Sequence, residues 1–523
     1  MNNFFQWLDR QRNSTRLSFL LQIICRVASS LLSLLWTPLL LRSMGPNLNG
    51  LFLNFQKWTT LGNLGDLGMG GMVNIQTNRM LGRGEQEKLK TFLTVARSVF
   101  LVMAILAAVI FWAISPHLFT LLNFGGDPQT GKLLLLSVVG GVAVAFVVLN
   151  SYINNLNYGC GNILWPILPM FVLLQLAVLS HWLLARHGAV LWMQYLPYIC
   201  SAALIQITGW IYVKKSHPAL GTVTPLRFER QQFAALFGNS FWVYLGSVAS
   251  GIWVTTDVFL ITAKFGANVV PAYLYNNKLA ELAAFVATSA GIASTPKITQ
   301  WIVSPEKNNR DRGMEELLRL SKFQTFICCC AALVYLAVND WFMRFWLGAD
   351  FQAPLLWQAA FAAYLAVLGT GYGAGDMAMR CCDGGIRITG IASLLSALLN
   401  LGLSVLAVLL SPKIGMTNSI FGIAFATVIA QSAQLVFLAG FTSRQLQIPW
   451  WKLFGNKWLL ALGTAVFGFG LRMVLPPVNA LNFSLLIIIL VVSFFLIARL
   501  LGISLKDLQR EKEIFRSMFS LEK

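Results

Sequence analysis

Several ionisable residues lie inside long apolar segments of the chain, where a charged side chain is costly, and five of them are candidates for a cavity. They are Arg26, Lys57, Asp257, Lys278 and Glu281. A charge within a membrane-spanning helix is tolerated when it faces protein or a water-filled cavity, and by default it marks a functional site. Cations in such a cavity suit an anionic ligand, above all a phosphate or pyrophosphate group. With three basic residues and two acidic ones, this set predicts a membrane cavity with a net positive charge.

Arg26 is the deepest of these charges. It lies ten residues inside the first predicted span, or about 15 Å along a helix axis. One face of this helix carries the polar residues, which are Gln22, Arg26, Ser30, Ser33 and Thr37. We expect this stripe to line a wet cavity, with Gln22, Ser30 and Ser33 beside the arginine. The alternative is an arginine that snorkels to the interface, and its depth argues against that.

Lys57 and Lys278 occupy matching places in two similar stretches, 221 residues apart. Gly45, Asn47, Phe52, Leu53 and Lys57 align with Gly266, Asn268, Tyr273, Leu274 and Lys278. Each lysine lies near the predicted outer end of a span, so snorkelling to the headgroups is the alternative for either one alone. The pairing of Gly, Asn and Lys favours a true internal repeat, which would place both lysines about one pseudo-two-fold axis.

Three acidic residues have different predicted roles. Glu281 follows Lys278 by three residues, so it can pair with that lysine, either as plain neutralisation or in coupling. Asp257 shares a polar face with Tyr244, Ser247 and Ser250, and it could balance a cavity cation or carry a proton. Asp66 is nine residues from Lys57, about 180° around a helix, so we expect it off the lysine's face, where it serves helix packing or a helix break near the inner end.

The composition sets the class of protein in which these charges lie. The chain has 523 residues, of which 57% are hydrophobic and 11% charged, and its net charge is +19. So much apolar surface predicts a polytopic membrane protein. Basic residues cluster in alternate gaps between apolar runs, and this distribution predicts that both termini are cytoplasmic. It also predicts that the positive charge lies near anionic lipid headgroups rather than on nucleic acid.

Fourteen segments are long and apolar enough to cross a membrane as helices. We place them at 16–41, 51–73, 92–115, 133–156, 163–185, 190–213, 236–262, 272–296, 321–342, 355–378, 388–410, 418–440, 456–475 and 482–503. The gaps between them are short and leave no room for a soluble catalytic domain. No nucleotide-binding, zinc-protease or nucleophile-elbow motif occurs, so we expect no enzyme, no cofactor and no metal site.

The repeat divides the chain into four predicted parts. An N-terminal lobe covers 1–231, a C-terminal lobe covers 232–445, two extra spans lie in 446–503, and a cytoplasmic tail covers 504–523. Because corresponding spans are six helices apart, the two lobes are predicted to be parallel six-helix repeats around a central cavity.

Two stretches carry a family resemblance. "LLRSMGPNLNGLFLNFQKWTTLGNLGDLGMGGMVN", after a first helix with Arg26, resembles polysaccharide-export flippases of the multidrug/oligosaccharidyl-lipid/polysaccharide (MOP) exporter superfamily, which include the Wzx-type O-antigen flippases. "TTDVFLITAKFGANVVPAYLYNNKL" resembles the start of the second lobe in the same family. The resemblance covers the first twelve spans in layout and these two stretches in motif.

The resemblance implies a flippase of the bacterial inner membrane that works by alternating access. Its substrate would be an undecaprenyl-pyrophosphate-linked oligosaccharide, whose anionic head group would meet Arg26, Lys57 and Lys278. Membrane lipids and polysaccharide polymerase or chain-length machinery would be its partners. Fourteen spans are more typical of lipid II flippases, so these are the first alternative, followed by multidrug exporters of the same superfamily. A membrane-embedded polymerase or ligase would need larger outer loops.

Overall fold

The chain is built of long helices, and no β-strand occurs in the described residues. The structure, a computed structural model, describes residues 15–162, 164–218, 220, 240–476 and 480–503. Its helices are α1 Thr15–Thr60, α2 Met69–Gly82, α3 Gln86–Leu121, α4 Leu133–Gly159, α5 Leu164–Arg186, α6 Leu191–Ser216, α7 Ser240–Phe265, α8 Val270–Asn276, α9 Lys278–Ile302, α10 Lys307–Trp346, α11 Leu355–Leu368, α12 Tyr372–Cys381, α13 Gly385–Leu409, α14 Ser411–Leu446, α15 Asn456–Val474 and α16 Ala480–Leu500. The predicted tail, 504–523, lies outside the described residues.

The helices confirm the predicted all-α polytopic membrane fold. Each of the fourteen predicted spans overlaps one or two helices. Ten helical segments in the described part of the chain are long and apolar enough to cross a membrane. The first of these, Val27–Asp66, overlaps parts of two predicted spans, 16–41 and 51–73. The predicted spans 272–296 and 355–378 are each interrupted by a break between helices.

Gly45 and Gly266, which align in the predicted repeat, have the same unusual backbone conformation. Gly45 has φ 74° and ψ 166° inside α1. Gly266 has φ 95° and ψ 159° between α7 and α8. Residues with a Cβ rarely adopt this region, so both positions favour glycine. Each glycine turns the chain sharply before the segment that carries a lysine.

The basic segment before the ninth predicted span is helical rather than a connecting loop. We predicted the span at 321–342, but α10 runs from Lys307 to Trp346. Arg319 and Glu316 form an ion pair of 2.6 Å, one helical turn apart. Pairs at this spacing stabilise a helix, so α10 continues through the charged residues.

The chain folds into two compact units, which meet in sequence at Val270 and Pro271. In the first unit an aromatic cluster, including Phe55, Trp58, Phe111 and Phe119, joins α1 to α3. In the second unit the cores form where α11, α13, α14 and α15 meet, and where α9 and α10 meet. The predicted lobe boundary at 231/232 lies outside the described residues and stays a prediction.

Candidate functional site

The second half of α1 turns one face toward α7. Gly50, Asn54 and Lys57 lie on this face because they are spaced by four and three residues. A Cβ built on Gly50 would lie 1.8 Å from the carbonyl oxygen of Ala267, so only glycine allows this approach. The buried Asn54 amide donates to the Thr262 hydroxyl at 2.7 Å. Two close contacts, Gly50 with Ala267 and Asn54 with Thr262, therefore hold α1 against the C-terminal end of α7. Lys57 lies one helical turn beyond Asn54.

The α-helical geometry of α1 ends at Thr60, and a 3₁₀ turn covers Leu61–Asp66. A 3₁₀ turn rotates each residue by about 120°, against about 100° in an α-helix. Lys57 and Asp66 are then separated by about 60° around the axis rather than by about 180°. Our prediction that Asp66 lies off the lysine's face was wrong, because the helix changes type between the two residues.

Lys57 and Asp66 line one cavity of about 350 Å³ in the first unit. Ser247 and Ser250, which belong to the predicted polar face of α7, line the same cavity. The complete lining consists of Lys57, Thr60, Leu61, Asn63, Leu64, Asp66, Ser247, Ser250, Gly251 and Thr255. One amine, one carboxylate, one amide and several hydroxyls thus meet beside two leucines, in segments that are otherwise apolar.

Asp66 also stabilises the break that follows it. Its Oδ1 accepts a hydrogen bond from the Gly68 N–H at 2.8 Å, and its Oδ2 accepts one from the Ser151 hydroxyl at 2.6 Å. Leu67 and Gly68 have positive φ, of 50° and 72°. The predicted helix break is therefore present, and the carboxylate is fixed between the turn and α4. A carboxylate accepts more than two hydrogen bonds, so Asp66 keeps acceptor capacity for a ligand.

The predicted stripe on α1 is described only in part. The side chains of Gln22 and Arg26 lie outside the described residues, although their backbone belongs to α1. Ser30 and Ser33 are half-buried, and the Ser33 hydroxyl donates to the Ser30 carbonyl at 2.7 Å. The apolar side chains of Ile24, Leu31 and Leu35 are exposed on another face of the same helix. Ser30 and Ser33 thus lie away from the surface that suits lipid.

The other predicted residues do not line this cavity. Asp257 is half-buried on α7, two turns beyond Ser250. Lys278 is the first residue of α9, in the second unit, and its Nζ lies 2.8 Å from Glu281 Oε2. The side chains of Lys278 and Glu281 are 30% and 47% exposed, so this pair remains accessible to a ligand.

The sequence reasoning missed Asn63, Thr60 and Thr255 as well as Asp66. Hydroxyl and amide side chains are common in membrane helices, so none of these residues stands out alone. The glycine-rich run "LGNLGDLGMGG" was the one sequence feature that could have indicated these residues, because it predicts a helix break. A break changes which residues share a face, and this consequence was not drawn from the sequence.

Comparison with known proteins identifies the fold. A structure of a MATE family multidrug transporter of the MOP superfamily, in its inward-facing conformation, matches with a TM-score of 0.63 at 12% identity, over 81% of this chain and 98% of the other. The lipid II flippase MurJ in an inward closed conformation matches with a TM-score of 0.61 at 15% identity, over 92% of this chain and 98% of the other. The chain has the fold of the MATE and MurJ transporters.

A third solved structure has a similar fold. A MOP superfamily transporter from Pyrococcus furiosus, described by the reverse polarity of its binding pocket, matches with a TM-score of 0.51 at 14% identity, over 83% of this chain and 94% of the other. No protein-family model matches the sequence. The search of curated proteins gives no match.

Proposed function

We propose that the protein is a flippase that moves an undecaprenyl-pyrophosphate-linked oligosaccharide, such as an O-antigen or other surface polysaccharide repeat unit. It would turn this lipid from the cytoplasmic to the outer leaflet of a bacterial inner membrane by alternating access. Membrane-transporter folds of the MATE and MurJ type support the class of function.

The observation that carries the proposal is the chemistry of the cavity that contains Lys57. An ammonium group supplies the charge that a phosphate group requires. Asn63, Asp66 and the serine hydroxyls supply the donors and acceptors that sugar hydroxyls require. The combination suits a sugar phosphate better than it suits a hydrophobic cation.

The remaining predicted residues have defined roles in this proposal. Arg26 and Lys278 would bind the anionic head group in other stages of its passage, with Gln22, Ser30 and Ser33 as polar neighbours of Arg26. Asp257 and Glu281 would balance the cations or carry protons when the substrate leaves. The polyprenyl chain would stay in the bilayer, because it gains nothing from a polar cavity.

The test uses the purified protein in liposomes that contain a fluorescent polyprenyl-pyrophosphate-linked oligosaccharide. Movement between leaflets is measured as the fraction of fluorophore that dithionite can quench. We expect Lys57→Ala to lower the flipping rate about tenfold, the value of one charge-assisted hydrogen bond. Lys264→Ala is the matched control, because Lys264 is exposed at the end of α7 and does not line the cavity. Unchanged flipping in Lys57→Ala would exclude this site.

A lipid II flippase is the second candidate, and one observation favours it. The match to MurJ extends over 92% of this chain, against 81% for the MATE structure. The two substrates share a polyprenyl pyrophosphate and differ in the attached sugars and peptide. Expression in cells depleted of their own lipid II flippase separates the candidates, because only a lipid II flippase restores growth. Export of cationic dyes without lipid movement would instead identify a multidrug exporter.

A further inference from the structure

Asn276 is a fully buried residue at the end of α8, and every polar atom of its side chain is used. Its Nδ2 donates to the Ala272 and Phe351 carbonyls, at 2.7 Å each. Its Oδ1 accepts from Asn339 Nδ2 at 3.0 Å and from the Ala353 N–H at 3.3 Å. One side chain therefore joins α8 to α10 and to the connection that leads to α11.

The backbone of Asn276 is held as well. The Tyr335 hydroxyl of α10 donates to the Asn276 carbonyl at 3.0 Å. The residue lies at the break between α8 and α9, and Lys278 begins α9 two residues later. Because a helix break leaves backbone groups without helical partners, these side-chain bonds fix the angle at which α9 starts. They thereby fix the backbone position of Lys278.

In the first unit, Phe55 occupies the position that corresponds to Asn276 in the predicted repeat. Phe55 is two residues before Lys57, as Asn276 is two residues before Lys278. Phe55 is fully buried and packs on Phe111 and Phe119 of α3, with ring centroids 6.2 and 6.4 Å apart. In each half of the chain, the residue two before the lysine is thus bound to the next long helix, by aromatic packing in one case and by hydrogen bonds in the other.

A partly buried ion pair lies next to Asn339, the partner of Asn276. Asp340 follows Asn339 on α10, and its carboxylate pairs with Arg472 of α15 and accepts from the Gln358 amide. Arg472 also donates through Nε to the Leu336 carbonyl at 3.2 Å. The part of α10 that Asn276 contacts is thus bonded to α11 and α15 as well.

We propose that Asn276 is a positioning residue for Lys278, which it fixes in the place where the lysine meets the anionic head group. The inference rests on the proposed function, in which Lys278 is a ligand of that group. Asn276 contacts no substrate in this scheme. It acts through the angle of α9, so its effect on binding exists only while the lysine is present.

A double-mutant cycle tests this dependence. The full chain is purified into lipid nanodiscs, and the dissociation constant for polyprenyl pyrophosphate is measured for each variant. We expect Lys278→Ala to weaken binding about tenfold, and Asn276→Ala to weaken it severalfold. The double variant should bind no more weakly than Lys278→Ala alone, because residues that act through one contact are not additive.

Asn400→Ala is the matched control, since Asn400 is also fully buried and bonds across helices, to Thr427 of α14. We expect it to leave the dissociation constant unchanged. If Asn276→Ala does not fold, Asn339→Ala removes a single bond to Asn276 and enters the same cycle. Full additivity, or no effect of the Asn276 or Asn339 variant beside a weakened Lys278→Ala, would overturn the positioning role. Unchanged binding in Lys278→Ala would instead refute the proposed function at this lysine.

Discussion

At the scale of single residues, the cavity combines opposite charges whose balance sets its ligand. Lys57 attracts an anionic group, whereas Asp66, on the same cavity, repels it. The Asp66 carboxylate accepts hydrogen bonds from the Gly68 N–H and the Ser151 hydroxyl, and these bonds stabilise the turn that follows α1. The carboxylate thus has two effects: its oxygens stabilise the turn by accepting hydrogen bonds, and its negative charge repels an anionic ligand.

Asp66→Asn tests that separation. The amide oxygen can still accept from the Gly68 N–H, while the negative charge disappears. We expect the dissociation constant for polyprenyl pyrophosphate to fall about threefold, because the anion no longer meets a like charge. The measurement is the same nanodisc titration, with Ser151→Ala as the control that disturbs the turn but keeps the charge. Weaker binding in Asp66→Asn, measured with this sugar-free probe, would contradict the repulsion between the carboxylate and the anion.

Gly50→Ala tests the contact that places Lys57. The added Cβ would lie 1.8 Å from the Ala267 carbonyl oxygen, which is backbone and can move only with its segment. We expect the free energy of unfolding to drop by about 2 kcal/mol, as for other overpacked sites. Stability is measured by denaturant unfolding in detergent micelles. Gly246→Ala is the control, because no atom lies within 4 Å of its built Cβ and alanine favours a helix. Equal stability of the two variants would contradict the tight approach.

At the scale of elements, the apolar runs predicted the spans well because hydropathy and length decide whether a segment crosses a membrane. They did not predict how helices are interrupted. The 3₁₀ turn at Leu61–Asp66 brings Asp66 into the cavity, and the break at Asn276 depends on Asn339 and Tyr335, which are distant in sequence. The glycine-rich run did predict a break near Asp66, whereas the break at Asn276 is fixed by tertiary hydrogen bonds that a local pattern does not reveal.

The charged residues of α15, Lys457 and Arg472, were not singled out in the sequence analysis. Arg472 pairs with Asp340, and its side chain is only 10% exposed. Lys457, at the other end of α15, is fully buried and donates to the Ser321 hydroxyl at 2.9 Å and to the Leu453 carbonyl at 2.8 Å. Both ends of α15 are therefore tied to α10 by buried polar contacts, which makes it an integral part of the second unit.

Arg472→Met tests whether the ion pair holds α15 in place. Removal of one partner leaves Asp340 poorly compensated, and we expect a loss of about 3 kcal/mol in the free energy of unfolding. The double variant with Asp340→Asn should recover most of that loss, since no uncompensated charge remains. Unfolding is followed by denaturant titration of the purified protein. Equal stability of the single and double variants would show that the pair is not coupled.

At the scale of the whole molecule, one backbone feature agrees with the predicted internal repeat. Gly45 and Gly266 align at a spacing of 221 residues and share one backbone conformation, and each precedes a lysine-bearing segment. Gly348 and Gly415 have the same conformation, with φ of 107° and 79° and ψ of 166° and 167°, so the repeat stays a prediction. Parallel repeats of six helices also require that corresponding loops lie on the same side of the membrane.

The charge distribution predicts the direction of the molecule in the membrane, and reporter fusions test that prediction. Basic residues cluster in alternate gaps, so the positive-inside rule predicts that both termini are cytoplasmic. We expect green fluorescent protein fused after Lys523 to fluoresce in bacterial cells, and alkaline phosphatase fused at Gly188, between α5 and α6, to be active. Alkaline phosphatase fused at Gly84, between α2 and α3, is the control and should be inactive. The reverse pattern would invert the molecule and, with it, the direction of transport that the proposed function requires.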